Sequence, residues 1–263
     1  MSVRHPAVSG MFYPADPNEL RAALDEAFAA AVPPPHGAPV PKALVVPHAG
    51  YPYSGAVAAS AYLRVAPARA TITKVVLLGP SHRVHVRGLA APVDNLFDMP
   101  FGMVLVDADL RSHVVDLPGV ILDDLPHFHE HSLEVQLPFL QTVLDDFVLL
   151  PLSVGDTTTE QVAAVLDAVW GGPETLIVIS TDLSHYHAYD QARRLDARTA
   201  AAIVAADAGS IGDHDACGSR PLRGLLQLAS DRRMSVDLID LRNSGDTAGD
   251  RNRVVGYGAF AIC

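Results

Sequence analysis

Short continuous apolar runs recur along the chain at 42–46, 74–78, 147–152, 175–180, 235–241 and 253–262. Between them, apolar positions return every three or four residues over 54–65, 131–144, 158–170, 188–206 and 218–229. Runs of this length without polar alternation predict strands buried on both faces, and the intervening period predicts helices. Their alternation predicts an α/β fold with a mainly parallel central sheet and helices on both faces. An earlier helix is predicted over 17–31, with Asp16 placed to cap it and Pro17 in its first turn. Residues 86–122 break the pattern. "RGLAAP" and "FDMPFGMVLVD" predict short antiparallel pieces inserted at an edge. "VPPPHGAPVP", 32–41, reads as a stiff linker too short to separate domains, and no internal repeat is visible. A single domain over 1–263 is the expectation.

Composition narrows the partners. Hydrophobic residues form 49% of the 263, enough for a sizeable core. No apolar run approaches the ~18 residues that span a bilayer, and "MSVRHPAVSGMFYPADP" has no continuous apolar signal core. A cytoplasmic protein that does not engage a membrane is expected. The formal charge of −11 argues against a nucleic-acid partner. Two cysteines, Cys217 and the terminal Cys263, make no disulfide framework. Walker and dinucleotide fingerprints are absent.

The chemistry gathers at strand ends. "VVPHAGYPYSG" delivers His48 just after a strand, "VVLLGPSH" delivers His82, and "LIVISTDLSHYH" delivers Asp182 and His185. Ligands of parallel sheets bind outside the carboxyl ends of the strands, so these loops are expected to meet at one edge. "PHFHEHSLEVQLPF" adds His127, His129, Glu130 and His131. On the predicted 131–144 helix, His131 and Glu134 share a face, directed either into a cleft or into water, and Pro138 should perturb the helix. Cys217 sits at the start of the last helix, where Asp213 or Asp215 could cap and Arg220 lies near. That setting lowers a thiol pKa. A buried, inert cysteine is the alternative.

Several ordered motifs together resemble the Memo family, whose prokaryotic members are called AmmeMemoRadiSam system protein B. They are "SGMFYP" (9–14), "VPHAGYPYSG" (46–55), "LLGPSH" (77–82), "EHSLEVQLPFL" (130–140), "STDLSHY" (180–186), "ACGSRP" (216–221) and "NSGDTAGD" with "VVGYGAF" (243–260). The resemblance implies a fold like that of class III extradiol ring-cleavage dioxygenases, which bind non-haem iron. It implies metal ligands at His48, His82 and Cys217, and a catalytic histidine at His185 with Asp182 beside it. It also implies a radical SAM protein and an AMMECR-type protein as microbial gene partners. The dioxygenases use a carboxylate as third ligand, so a thiolate at Cys217 keeps Fe(II) as the expected metal but admits Cu or Zn.

Three functions follow as expectations. The first is a non-haem iron oxidoreductase with His185 as general acid/base and His131, Glu134 and Tyr51 in supporting places near the metal. Tyr51 and Tyr53 would line the pocket mouth or serve as packing. The second is a non-catalytic protein that binds iron or copper, or docks a peptide or partner, on the same scaffold. A phosphotyrosine reader would need converging arginines, and Arg83, Arg87 and Arg220 are scattered. The third is a zinc hydrolase in which His185 or Glu134 activates water.

Overall fold

The computed structural model describes residues 2–263. In chain order the strands are β1 (Val3–Arg4), β2 (Ala43–Val46), β3 (Lys74–Pro80), β4 (Leu89–Ala91), β5 (Leu96–Phe97), β6 (Val104–Val106), β7 (Val120–Leu122), β8 (Val148–Val154), β9 (Thr175–Ser180), β10 (His185–His187), β11 (Val236–Asn243) and β12 (Val254–Ile262). The helices are α1 (Pro17–Ala29), α2 (Tyr51–Tyr62), α3 (Ala108–Val115), α4 (Leu125–Phe128), α5 (Leu137–Val143), α6 (Thr159–Ala168), α7 (Tyr189–Val204) and α8 (Ser219–Asp231).

The apolar strands are buried on both faces because each alternates its side chains between two cores. Val75 and Leu77 of β3 join Leu44, Val46, Leu176 and Val178 beneath α1, α2 and α5. Val76 and Leu78 join Val45, Ile177 and Ile179 beneath α6, α7 and α8. β8, β3, β9 and β2 run parallel in that spatial order. The sheet as a whole is mixed. β12 is antiparallel to β2, and both β10 and β11 are antiparallel to β12. The turn through 244–246 folds β11 directly back toward β12, with no crossover helix to make the pair parallel.

The 86–122 insertion contains the expected short strands and also α3, which Asp107 caps. Its pairing is mixed as well: β5–β6 is antiparallel, whereas β4–β7 is parallel. The single helix expected over 131–144 is not formed. His131 to Leu133 are loop and turn, Glu134–Gln136 is a 3₁₀ turn, and α5 begins only at Leu137. Pro138 occupies the first turn of α5, where its missing N–H costs nothing, so it starts this helix rather than bending a longer one. Among the described residues no helix is long and apolar enough to cross a membrane.

Candidate functional site

The parallel strands β2, β3 and β9 end on the same edge, and the loops that follow them deliver His48, His82 and Asp182 there. Two close approaches compact this edge. A Cβ on Gly79 would lie 2.7 Å from Ser132 Oγ, so glycine lets the His131 loop settle on the end of β3. A Cβ on Gly218 would lie 2.7 Å from Thr181 Cβ, so glycine brings the Cys217 segment against the end of β9.

His48, His82 and His131 form one cluster. One ligand nitrogen from each lies within 4.8 Å of the other two. Ring centroids are 5.2 Å apart for His48–His82, 5.3 Å for His48–His131 and 4.8 Å for His82–His131. Glu130 organises two of the rings. Its Oε1 accepts from His82 Nδ1 at 2.9 Å and its Oε2 from the His82 backbone N–H at 2.6 Å. The backbone N–H groups of His131 and Ser132 also donate to Oε1. Burial alone would raise this carboxyl. The hydrogen bond from His82 Nδ1, with the backbone donors of His82 and Ser132, outweighs burial and holds it at about 2. Such a carboxylate fixes an imidazole with Nδ1 protonated and Nε2 free to ligate.

The other two rings are disposed toward neutrality. Burial, reinforced by His82 and His131, places His48 well below the usual imidazole range. Burial pushes His131 down to about 4, with His82 adding to the effect and Glu130 opposing it. Neutral imidazoles are the form that binds a metal. The donor set can therefore hold a transition-metal ion.

Cys217 adjoins this cluster from the His48 side, with Sγ 3.3 Å from His48 Nε2. The expected activation of the thiol by the helix start is not present. Gly218 caps α8 without a side-chain hydrogen bond, and Arg220 turns to Asp156 and the Gly155 carbonyl. Asp213 pairs with Arg223, and Asp215 accepts from the Gly212 N–H. Burial, with Asp182 adding to it, pushes the thiol up to about 12. Coordination to a bound cation would restore the thiolate at neutral pH.

Asp182 accepts the His48 backbone N–H at 2.8 Å, and burial pushes its carboxyl up to about 7 against that hydrogen bond. His185 lines the same cleft from β10, with its imidazole lowered by burial. Among the described residues no hydrogen bond joins Asp182 to His185. The cleft encloses about 990 Å³, with Phe12, Tyr53, Tyr186 and Tyr257 among its walls. That is the size of a small-molecule site.

Glu134 and Tyr51 lie behind the cleft, not in it. Glu134 pairs with Arg4 and accepts from the backbone N–H groups of Ala7 and Val8 and from Tyr13 Oη. With the 3₁₀ turn in place of a helix, it no longer shares a face with His131. Tyr51 is buried against Tyr13 and Phe139 and donates to the Val135 carbonyl, whereas Tyr53 faces the cleft. His127 is a core residue hydrogen-bonded to the Ala90 carbonyl, and His129 is exposed. His131 was expected only as a supporting residue near the metal, not as one of the three clustered rings, and the role of Glu130 was not anticipated. The "HEH" spacing held the signal, since a carboxylate between two histidines can anchor an imidazole.

A family model described as Memo-like protein matches residues 4–261. A MEMO1 family protein of Methanopyrus kandleri is 36% identical, covering 98% of this chain and 98% of its own. One from Aquifex aeolicus is 35% identical, again covering 98% of each. Among solved structures, an uncharacterized protein of Escherichia coli K12 superposes with a TM-score of 0.53 at 14% identity, covering 82% of this chain and 98% of that one, a likeness of fold alone. With a family model spanning 4–261 and full-length relatives above 30% identity, the chain belongs to the Memo-like protein family.

Proposed function

We propose that the chain holds one transition-metal ion between His48, His82 and His131, with Cys217 as a fourth donor, and that the site is that of a non-haem iron oxidoreductase. The observation that carries this is the convergence of three ligand nitrogens within 4.8 Å in the lining of a 990 Å³ cleft. Fe(II) suits imidazole donors, and when bound it would supply redox chemistry in the cleft. The protein's own groups do the rest. Glu130 holds the His82 proton at Nδ1 and so aims Nε2 inward. Asp182 fixes the His48 backbone. Phe12, Tyr53, Tyr186 and Tyr257 line the cleft, and His185, in the same lining, can accept or return a substrate proton at a ring nitrogen.

The test is metal analysis of untagged protein purified without oxygen, followed by oxygen uptake with candidate substrates, catechols first. One iron per chain and substrate-dependent uptake that falls ~10²–10⁴-fold in His185→Ala support an enzyme. A second reading, a non-catalytic iron- or copper-binding protein, is favoured by one observation. Cys217 Sγ stands 3.3 Å from His48 Nε2, and a thiolate there would be a soft donor suited to Cu(I). Tight metal binding with no turnover, unaffected by His185→Ala, supports that reading.

A further inference from the structure

His48 lies at the end of a buried polar relay whose hydrogen-bond arithmetic has one solution. Ser180 Oγ has three neighbours: the Ser132 carbonyl at 2.6 Å, Gln136 Nε2 at 2.8 Å and His48 Nδ1 at 2.9 Å. A carbonyl only accepts, and an amide nitrogen only donates. The single hydroxyl proton therefore goes to Ser132, and a lone pair takes the Gln136 N–H.

The orientation of the Gln136 amide is itself fixed. Its Nε2 also donates to the Pro47 carbonyl at 2.9 Å, and its Oε1 accepts from Tyr62 Oη at 3.0 Å. A flipped amide would press Oε1 against the Pro47 carbonyl, two acceptors with no proton between them. Burial holds the Tyr62 phenol in its protonated form, well above the ordinary range. Ser180, Gln136, Tyr62 and Ser132 are all fully buried, so water does not offer an alternative partner.

We infer that Ser180, steadied by Gln136, is a positioning residue that locks His48 as the Nδ1–H tautomer and leaves the Nε2 lone pair free to accept from the Cys217 thiol or to ligate. The Nδ1–H is the only donor the third position of Ser180 can take. The same Nε2 is the atom 3.3 Å from Cys217 Sγ, so the ligating atom is set before any ion arrives. The consequence for metal affinity rests on the metal reading above, whereas the tautomer itself does not.

The test is long-range ¹H–¹⁵N correlation NMR of the metal-free full chain labelled at histidine nitrogens, with His48 assigned through its loss in His48→Gln. The expected spectrum shows His48 Nδ1 protonated and Nε2 unprotonated. A protonated Nε2, or an exchanging mixture of tautomers, overturns the inference. Ser180→Ala should turn the single tautomer into a mixture and weaken zinc(II) binding, titrated alone, by roughly 10–100-fold. A folded Ser180→Ala that keeps the pure Nδ1–H form also overturns it. Should that variant not fold, the wild-type spectrum decides. A wild-type chain with the expected tautomer and no zinc affinity sustains the inference while removing the metal reading.

Discussion

At the scale of single residues, the two third donors can be separated. His131→Ala removes one of three clustered nitrogens, whereas Cys217→Ser removes a group that meets the cluster only through His48. Isothermal titration with zinc(II) should show His131→Ala losing most affinity and Cys217→Ser losing less. The opposite ranking would make Cys217 the third ligand. Thiol labelling adds a direct reading. With the Cys217 thiol pushed up to about 12 by burial, iodoacetamide at neutral pH should label it slowly in metal-free protein and more slowly still when metal is bound. Cys263, at the far end of β12, should react at one rate in both states. His48, His82, Asp182 and His185 were legible because a strand end is visible in sequence and parallel neighbours share an edge. Glu134 and Tyr51 were not, since their directions depend on a 3₁₀ turn and on the N-terminal segment that covers them.

At the scale of elements, the N-terminal segment is pinned by a buried pair. Arg4 pairs with Glu134 and also donates to the His127 and Glu130 carbonyls, so β1 clamps the loop carrying Glu130 and His131. Glu134→Ala would leave the Arg4 guanidinium, Tyr13 Oη and two backbone N–H groups without their acceptor. Breaking a buried pair from one side costs about 3–5 kcal/mol, and urea unfolding should show a loss of that order. A loss below about 1 kcal/mol would mean that water replaces the carboxylate. The six long strands were read within one or two residues; in β2, β3, β8, β9 and β12 burial on both faces leaves a mainly apolar run, whereas β11, VDLIDLRN, is partly exposed. The 131–144 segment was misread because its apolar spacing satisfies a helix, while Pro138, through its missing N–H and its ring, ends the possibility of one continuous helix and so starts α5 at Leu137. Short β1, β5 and α3 carry too few residues to show a period.

At the scale of the molecule, acid stability follows from buried histidine. Burial takes His127 down to about 4 against an ordinary value near 6.5, with the Ala90 hydrogen bond only partly opposing it. The unfolded chain therefore binds a proton that the folded chain refuses. Its contribution is fully present above pH 6.5 and is lost as pH falls toward 4, by about 3 kcal/mol in all and at most ~1.4 kcal/mol per pH unit. Urea midpoints measured at pH 7.5 and 4.5 should fall less for His127→Asn, which cannot titrate, than for the wild type. Equal slopes would assign the acid sensitivity elsewhere. The α/β class was legible from alternating elements, but the mixed sheet was not, because apolar runs do not reveal that β11 turns straight back into β12.

The central claim is one metal ion per chain held by three imidazoles from the β2, β3 and Glu130–Ser132 loops. Its most direct test is elemental analysis of untagged protein purified without oxygen, beside folded His48→Ala, His82→Ala and His131→Ala variants. The prediction is about one transition metal per wild-type chain and a large loss in each variant, with Cys217→Ser retaining more than any of them. Wild-type metal content in folded protein of all three histidine variants would contradict it.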